Sequence, residues 1–245
     1  METIDDAITR MDLVLDRCMD ENDPRGFFGC VYRAVTVRVR DGIRAGEFDD
    51  CERMERFDVA FARLYLDAYD AWRGGRPVAA SWRVTFDAPS QGLLALQHLL
   101  AGMNAHINLD LGVAAARTQR GTEVAALRDD FERLNDVLAE MVDRMQDALF
   151  LASPWATRAD RWAGRLDETL SSWSIEHARS RAWAFAEELS APGADAERLA
   201  EARDQRIARL GSRILRPGIP ARWAVGYAGR REKAQVRAVA EALLG

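Results

Sequence analysis

Apolar residues recur at intervals of three and four along nearly the whole chain, the period of an α-helix resting one face on a core. The pattern predicts an amphipathic helix over about residues 3–20 and a second over 27–44 (FFGCVYRAVTVRVRDGIR). That second stretch is rich in β-branched residues, so a strand stays open there. Residues 50–72 predict a long third helix, closed by the breaker GGRP at 74–77. A loop carrying Trp82 and Phe86 follows, and Pro89 suits the first turn of a helix over about 90–116. Between 122 and 150, Leu127, Phe131, Leu134, Leu138, Met141, Met145 and Leu149 mark one buried stripe, ended by Ser153 and Pro154. Two tryptophan-rich helices cover about 158–190, and Pro192-Gly193 opens another to about 212. RPGIP at 216–220 reads as a linker before a terminal, locally basic helix over about 221–244.

The fold class expected is therefore all-α: a single bundle of about eight to ten helices around a central buried helix at about 90–116. One domain covers 1–215, and the C-terminal helix at 221–245 is packed on it or exposed. No internal repeat or low-complexity tract interrupts the pattern.

Composition narrows the function classes. A formal charge of −5 argues against general attraction to nucleic acid or to an anionic membrane. No apolar run approaches the roughly 20 residues that cross a bilayer. The N-terminus is acidic and amphipathic, unlike a secretory signal, and Cys18, Cys30 and Cys51 form no C-x-x-C motif, so a reducing cytoplasm is expected. Lys233 is the only lysine, a bias that a GC-rich, actinobacterial-type coding sequence would produce. It lies in the charged segment RREKAQ, which makes Schiff-base chemistry improbable. The glycine-rich, P-loop, G-x-S-x-G and H-E-x-x-H motifs are missing, and so are the E-x-x-H pairs of di-iron bundles. Three histidines are too few for a trinuclear zinc site. No cofactor is expected.

The stretch QHLLAGMNAHINLDLG (97–112) carries the candidate chemistry. On a straight helix at about 100° per residue, with His98 at zero, His106 falls near 80° and Asp110 near 120°. Asn104 and Asn108 fall near 240° and 280° on the same scale. Two polar stripes thus alternate with two apolar ones, as in a helix surrounded by others. His98 and His106 are roughly 12 Å apart along the axis, too far to share a metal ion. His106 and Asp110 have the i,i+4 spacing at which a carboxylate fixes an imidazole tautomer and leaves the other nitrogen for proton transfer. The bland reading is a histidine satisfied within the core. Asp58 is a second anomaly: it sits among Phe57, Phe61, Ala62, Tyr65 and Tyr69, where a carboxylate must be paired or raise its pKa. Arg33 is the partner expected for it. Asp130 and Asn135 flank the apolar stripe of their helix, and His177 lies among charged residues, which suits a surface position.

GMNAHINLDL (102–111) resembles the signature of an uncharacterised bacterial family of helical proteins known only as a domain of unknown function. RFDVAFARLY (56–65), DF-x-x-LN (130–135) and ARSRAW (178–183) agree with it. Ser180 stands where the family pattern often has an acidic residue. The resemblance implies a shared helical fold and a family-level role for Asp58, Asn104, His106, Asn108 and Asp110, and it implies no activity.

The function expected is that of a cofactor-independent acid–base enzyme of lyase, isomerase or cyclase type, acting on a small, largely apolar molecule. His106 would transfer the proton, Asp110 would orient it, and Asp58 would be the second acid or base. Asn104, Asn108, His98, Tyr65 and Trp82 would bind the substrate. On this reading His106→Ala abolishes turnover and leaves the melting temperature nearly unchanged. Two alternatives stay open: a metal-dependent hydrolase with His106, Asp110 and Asp58 as ligands, and a non-catalytic binding or scaffold protein with a structural polar core. Homo-oligomerisation also stays open.

Overall fold

Thr3 accepts the Asp6 N–H while the Asp6 carboxylate accepts the Thr3 N–H, a capping box that starts the first helix. The computed structural model describes residues 2–118, 124–152, 175–216, 226, 229 and 235–244. In chain order its helices are α1 (Ile4–Glu21), α2 (Gly26–Ala45), α3 (Cys51–Arg73), α4 (Ala80–Phe86), α5 (Ala95–Ala105) and, after a π-helical turn (His106–Asp110), α6 (Leu111–Thr118). A 3-10 turn (Val124–Leu127) leads into α7 (Arg128–Ala152), followed by α8 (Ile175–Ser190), α9 (Ala196–Leu215) and α10 (Val236–Leu244). There is no strand among the described residues, and the fold is all-α. None of the described helices is long and apolar enough to cross a membrane.

The stretch at 27–44 is a helix. Helix propensity costs its β-branched residues only tenths of a kcal/mol each, and burial of Phe27, Phe28, Val31, Tyr32 and Val39 outweighs that. The segment expected as a loop around Trp82 is also helical. Its N-terminal N–H groups at Ala80 and Ser81 donate to the Asp204 carboxylate on α9, at 2.6 and 2.9 Å. That cap lies more than a hundred residues away in the chain, so no local signal marks it. Pro89 is not in a first turn, because α5 begins at Ala95. Gln97 accepts the Leu94 N–H (3.1 Å) and donates to the Ile214 carbonyl (2.8 Å), tying the start of α5 to the end of α9. Most of the first tryptophan-rich helix, the RPGIP linker beyond Arg216 and most of the basic terminal segment lie outside the described residues. The described end of that segment, α10, buries Val236, Val239, Ala240 and Leu243 and packs on α2 and α7.

The rod formed by α5, the π-turn and α6 is the centre of the bundle, touched by α2, α3, α4, α8 and α9. Two glycines permit the closest approaches. A Cβ on Gly102 would meet Phe28 of α2 at 2.5 Å, and one on Gly112 would meet the Ala182 carbonyl oxygen of α8 at 2.7 Å. A backbone oxygen cannot swing aside as a side chain can. Gly112→Ala is therefore expected to lower the unfolding free energy by about 1–3 kcal/mol in urea titrations; unchanged stability would show that α6 and α8 are not held this tightly.

Candidate active site

The π-turn places the His106–Asp110 pair. Leu111 N–H donates to His106 O, an i→i+5 bond that inserts one extra residue into the rod. A straight-helix reading at a constant angle per residue therefore misplaces everything beyond it. Within the turn, His106 Nδ1 lies 3.0 Å from Asp110 Oδ2, and Trp82 Nε1 donates to the same oxygen at 2.9 Å. With Asp110 ionised, that oxygen accepts both N–H groups, which puts the imidazole proton on Nδ1 and makes Nε2 an acceptor. The ring is boxed by aromatics: Phe61 stacks on it at 3.6 Å and 8°, and Tyr32 and Phe28 meet it edge-on at 4.3 and 5.5 Å. Burial lowers the imidazole's proton affinity against the pull of Asp110, so the neutral ring is favoured. Burial also raises the Asp110 carboxyl, opposed by its hydrogen bonds from His106 and Trp82.

A cavity of about 70 Å³ adjoins this pair, with Phe28, Tyr32, Asp58, Phe61, His106 and Arg179 in its lining. At about 10–15 Å³ per bound water, it has room for roughly five small non-hydrogen atoms. Its walls are otherwise aliphatic and aromatic. Among the described residues, three buried polar atoms on its lining have no hydrogen-bond partner: Tyr32 Oη, Asp58 Oδ2 and His106 Nε2. The Thr36 hydroxyl, one turn beyond Tyr32, donates to the Tyr32 carbonyl at 3.0 Å and lies near the Tyr32 phenol without closing a hydrogen bond to it. Burial, reinforced by the charge of Glu55, pushes the Asp58 carboxyl up to about 7. Burial first, and then Asp58, raise the Tyr32 phenol well above its ordinary value, so it stays a neutral donor. Arg179 is pushed down to about 9 by burial. Its Nη2 donates to the Phe131 carbonyl, and its guanidinium lies over the Phe131 ring at 4.5 Å.

His106, Asp110 and Asp58 are thus gathered at one cavity or its supporting layer. The expected substrate-binding residues are mostly placed elsewhere. Asn104 donates to the Ile207 carbonyl of α9 (3.0 Å) and accepts from Asn108 (3.2 Å), so both amides serve helix packing. Arg203 of α9 adds a bond to the Asn108 carbonyl at 3.0 Å. His98 is buried in another layer and pushed down to about 4 by burial and by Arg25. Tyr65 stands behind the aromatic box, its ring 6.1 Å from that of His106. Trp82 is buried and bonds Asp110 in the layer behind the cavity. Arg33 pairs with Asp12 of α1 and leaves Asp58 to the cavity. Asp130 accepts the Asp49 and Asp50 N–H groups at 2.7 and 3.2 Å and pairs with Arg53 at 2.8 Å, which fastens the start of α3. Burial would raise its carboxyl, but Arg53 and those N–H groups hold it below the usual range. His177 is exposed, and the side chain of Asn135 lies outside the described residues.

Tyr32 and Arg179 were not singled out by the sequence. Each is a polar side chain on an apolar helix face, the same signal that marked Asp58. Among the described residues no three His, Cys, Asp or Glu side chains gather in a group that could hold a metal ion.

This chain belongs to DUF5995, a family of unknown function, which matches residues 4–217. The match takes in every helix that lines the cavity and stops short of α10. No curated protein and no solved structure matches the chain.

Proposed function

We propose that this protein is a cofactor-independent acid–base enzyme acting on a small, largely apolar molecule. His106 Nε2 takes and returns a proton, Asp110 fixes the imidazole tautomer and steadies the imidazolium, and Trp82 fixes Asp110. Asp58 is the second proton-active group at the cavity. One observation carries the reading: an imidazole anchored at Nδ1 presents an unpartnered Nε2 on a residue that lines an apolar cavity shared with an unpartnered carboxyl. A polar core that only sets helix register would satisfy its atoms, since an orphaned buried polar group costs about 1–3 kcal/mol.

The expectation for His106→Ala changes with the packing. The ring is 1% exposed and stacked on Phe61, so alanine leaves a hole and should cost about 2–4 kcal/mol of stability. Glutamine fills more of the space and is the better probe. The test is deuterium uptake from D2O by a panel of C–H acids of up to about five non-hydrogen atoms, followed by NMR. The native protein is expected to catalyse uptake into at least one, and His106→Gln to lose it by about 100-fold or more with helical circular dichroism retained. Equal uptake with native protein and His106→Gln across the panel would overturn the proposal.

A further inference from the structure

The asparagines expected to bind the substrate bond each other and α9, so a carbonyl oxygen in the cavity would have to be held by other groups. Tyr32 brings a phenol from α2, and Asp58 brings a carboxyl from α3. Among the described residues neither the Tyr32 hydroxyl nor Asp58 Oδ2 makes a hydrogen bond, and both are buried. The Tyr32 ring meets the imidazole edge-on at 4.3 Å, so the phenol and the proton-transfer nitrogen belong to neighbouring walls. Two buried groups able to donate, beside a base able to take a proton, suit a hydrogen-bond acceptor that carries an adjacent acidic C–H.

We propose that Tyr32 and protonated Asp58 donate hydrogen bonds to the carbonyl oxygen of a small enolisable ketone or aldehyde, whose adjacent carbon faces His106 Nε2. This rests on the acid–base reading of His106 given above. In the forward step the C–H bond next to the carbonyl breaks and its proton goes to Nε2. The electron pair forms the carbon–carbon double bond, and the C=O π pair moves onto oxygen, held by the Tyr32 and Asp58 hydroxyl donors. The imidazolium exchanges its proton with solvent and then delivers one, a deuteron in D2O, to the enol carbon, which closes the cycle without an oxidant or reductant. Donors fixed in a dry site suit this task, because they strengthen as charge develops on oxygen and do not reorganise. A carboxyl kept neutral by an apolar site is a known way to supply such a donor. Burial raises the Asp58 carboxyl to about 7 and the Tyr32 phenol well above its ordinary value, so both hold their protons in mildly acidic solution.

The probe is [2-13C]butanone, which has five non-hydrogen atoms and no charge. With native protein at pH 6, the carbonyl stretch of bound butanone should lie at lower frequency than in water. Tyr32→Phe and Asp58→Leu should each return it part of the way toward its value in hexane, and each should slow deuterium uptake by about 100-fold. Each replacement removes an unpartnered polar group, so both variants should fold. His106→Gln should keep the lowered stretch and lose uptake. A stretch that is the same in native protein and Tyr32→Phe overturns the inference, and so does failure of butanone to bind. If only His106→Gln slows uptake, the acid–base reading stands and the carbonyl assignment falls. If the stretch depends on Tyr32 but no uptake occurs, the carbonyl site stands and the acid–base reading falls.

Discussion

Asp58→Asn is expected to gain about 4 kcal/mol of stability over the native protein between pH 4 and pH 8. The sign follows from linkage. The Asp58 carboxyl titrates near 3.8 when unfolded and at about 7 when folded. Below the lower value both states carry the proton and nothing is lost. Between the two, the folded state holds a proton that the unfolded state has released, so each pH unit removes about 1.4 kcal/mol of stability. Above about 7 both states are ionised and the loss stops growing. Asparagine cannot ionise and escapes the whole decline. Glu55 on the same helix deepens it, while Tyr32 from α2, His106 from the π-turn and Arg179 from α8 line the same cavity. Urea unfolding of both proteins from pH 4 to pH 8 measures the divergence, and parallel curves would show that Asp58 is paired. Deuterium uptake should fall through pH 7 for the same reason, since only the acid form can donate.

At Asp110 the choice of replacement separates charge from hydrogen bonding. Trp82 Nε1–H and His106 Nδ1 both converge on Oδ2, so an asparagine can put its amide oxygen in that place and keep both contacts. Asp110→Asn should therefore stay within about 1 kcal/mol of native stability while losing the charge that steadies the imidazolium, a loss of about 100-fold in turnover or more. Asp110→Leu strips the acceptor from two buried donors and should cost about 2–5 kcal/mol, read from the urea midpoint. Equal destabilisation by the two replacements would mean that the negative charge, rather than the acceptor oxygen, holds this layer together.

Periodicity and spacing were enough to read the bundle, the central rod and the His106–Asp110 pair, because burial and i,i+4 contact are local properties of a helix. Asp58 was legible for a related reason: a carboxylate among Phe57, Phe61 and Tyr65 contradicts its own face. What escaped was set by distant partners. Trp82 looked like a loop residue because the cap of its helix is Asp204. Asn104 and Asn108 looked like ligands because their carbonyl and side-chain partners involve α9 as well as their own helix. Tyr32 carries the same signal more faintly, because a tyrosine is common in cores, and only the packing around it shows that its hydroxyl is left without a hydrogen bond.

The π-turn also settles which way the two ends of the rod look. Ten residues separate Gly102 from Gly112, and on an uninterrupted helix at about 100° each they would point only about 80° apart. One residue absorbed without advancing the rotation changes that to about 180°. The two flat patches then lie on opposite sides, one for Phe28 of α2 and one for the α8 backbone. A rod that kept the same ten-residue spacing but had no π-turn would bring the two patches to within about 80° of each other and crowd α2 against α8.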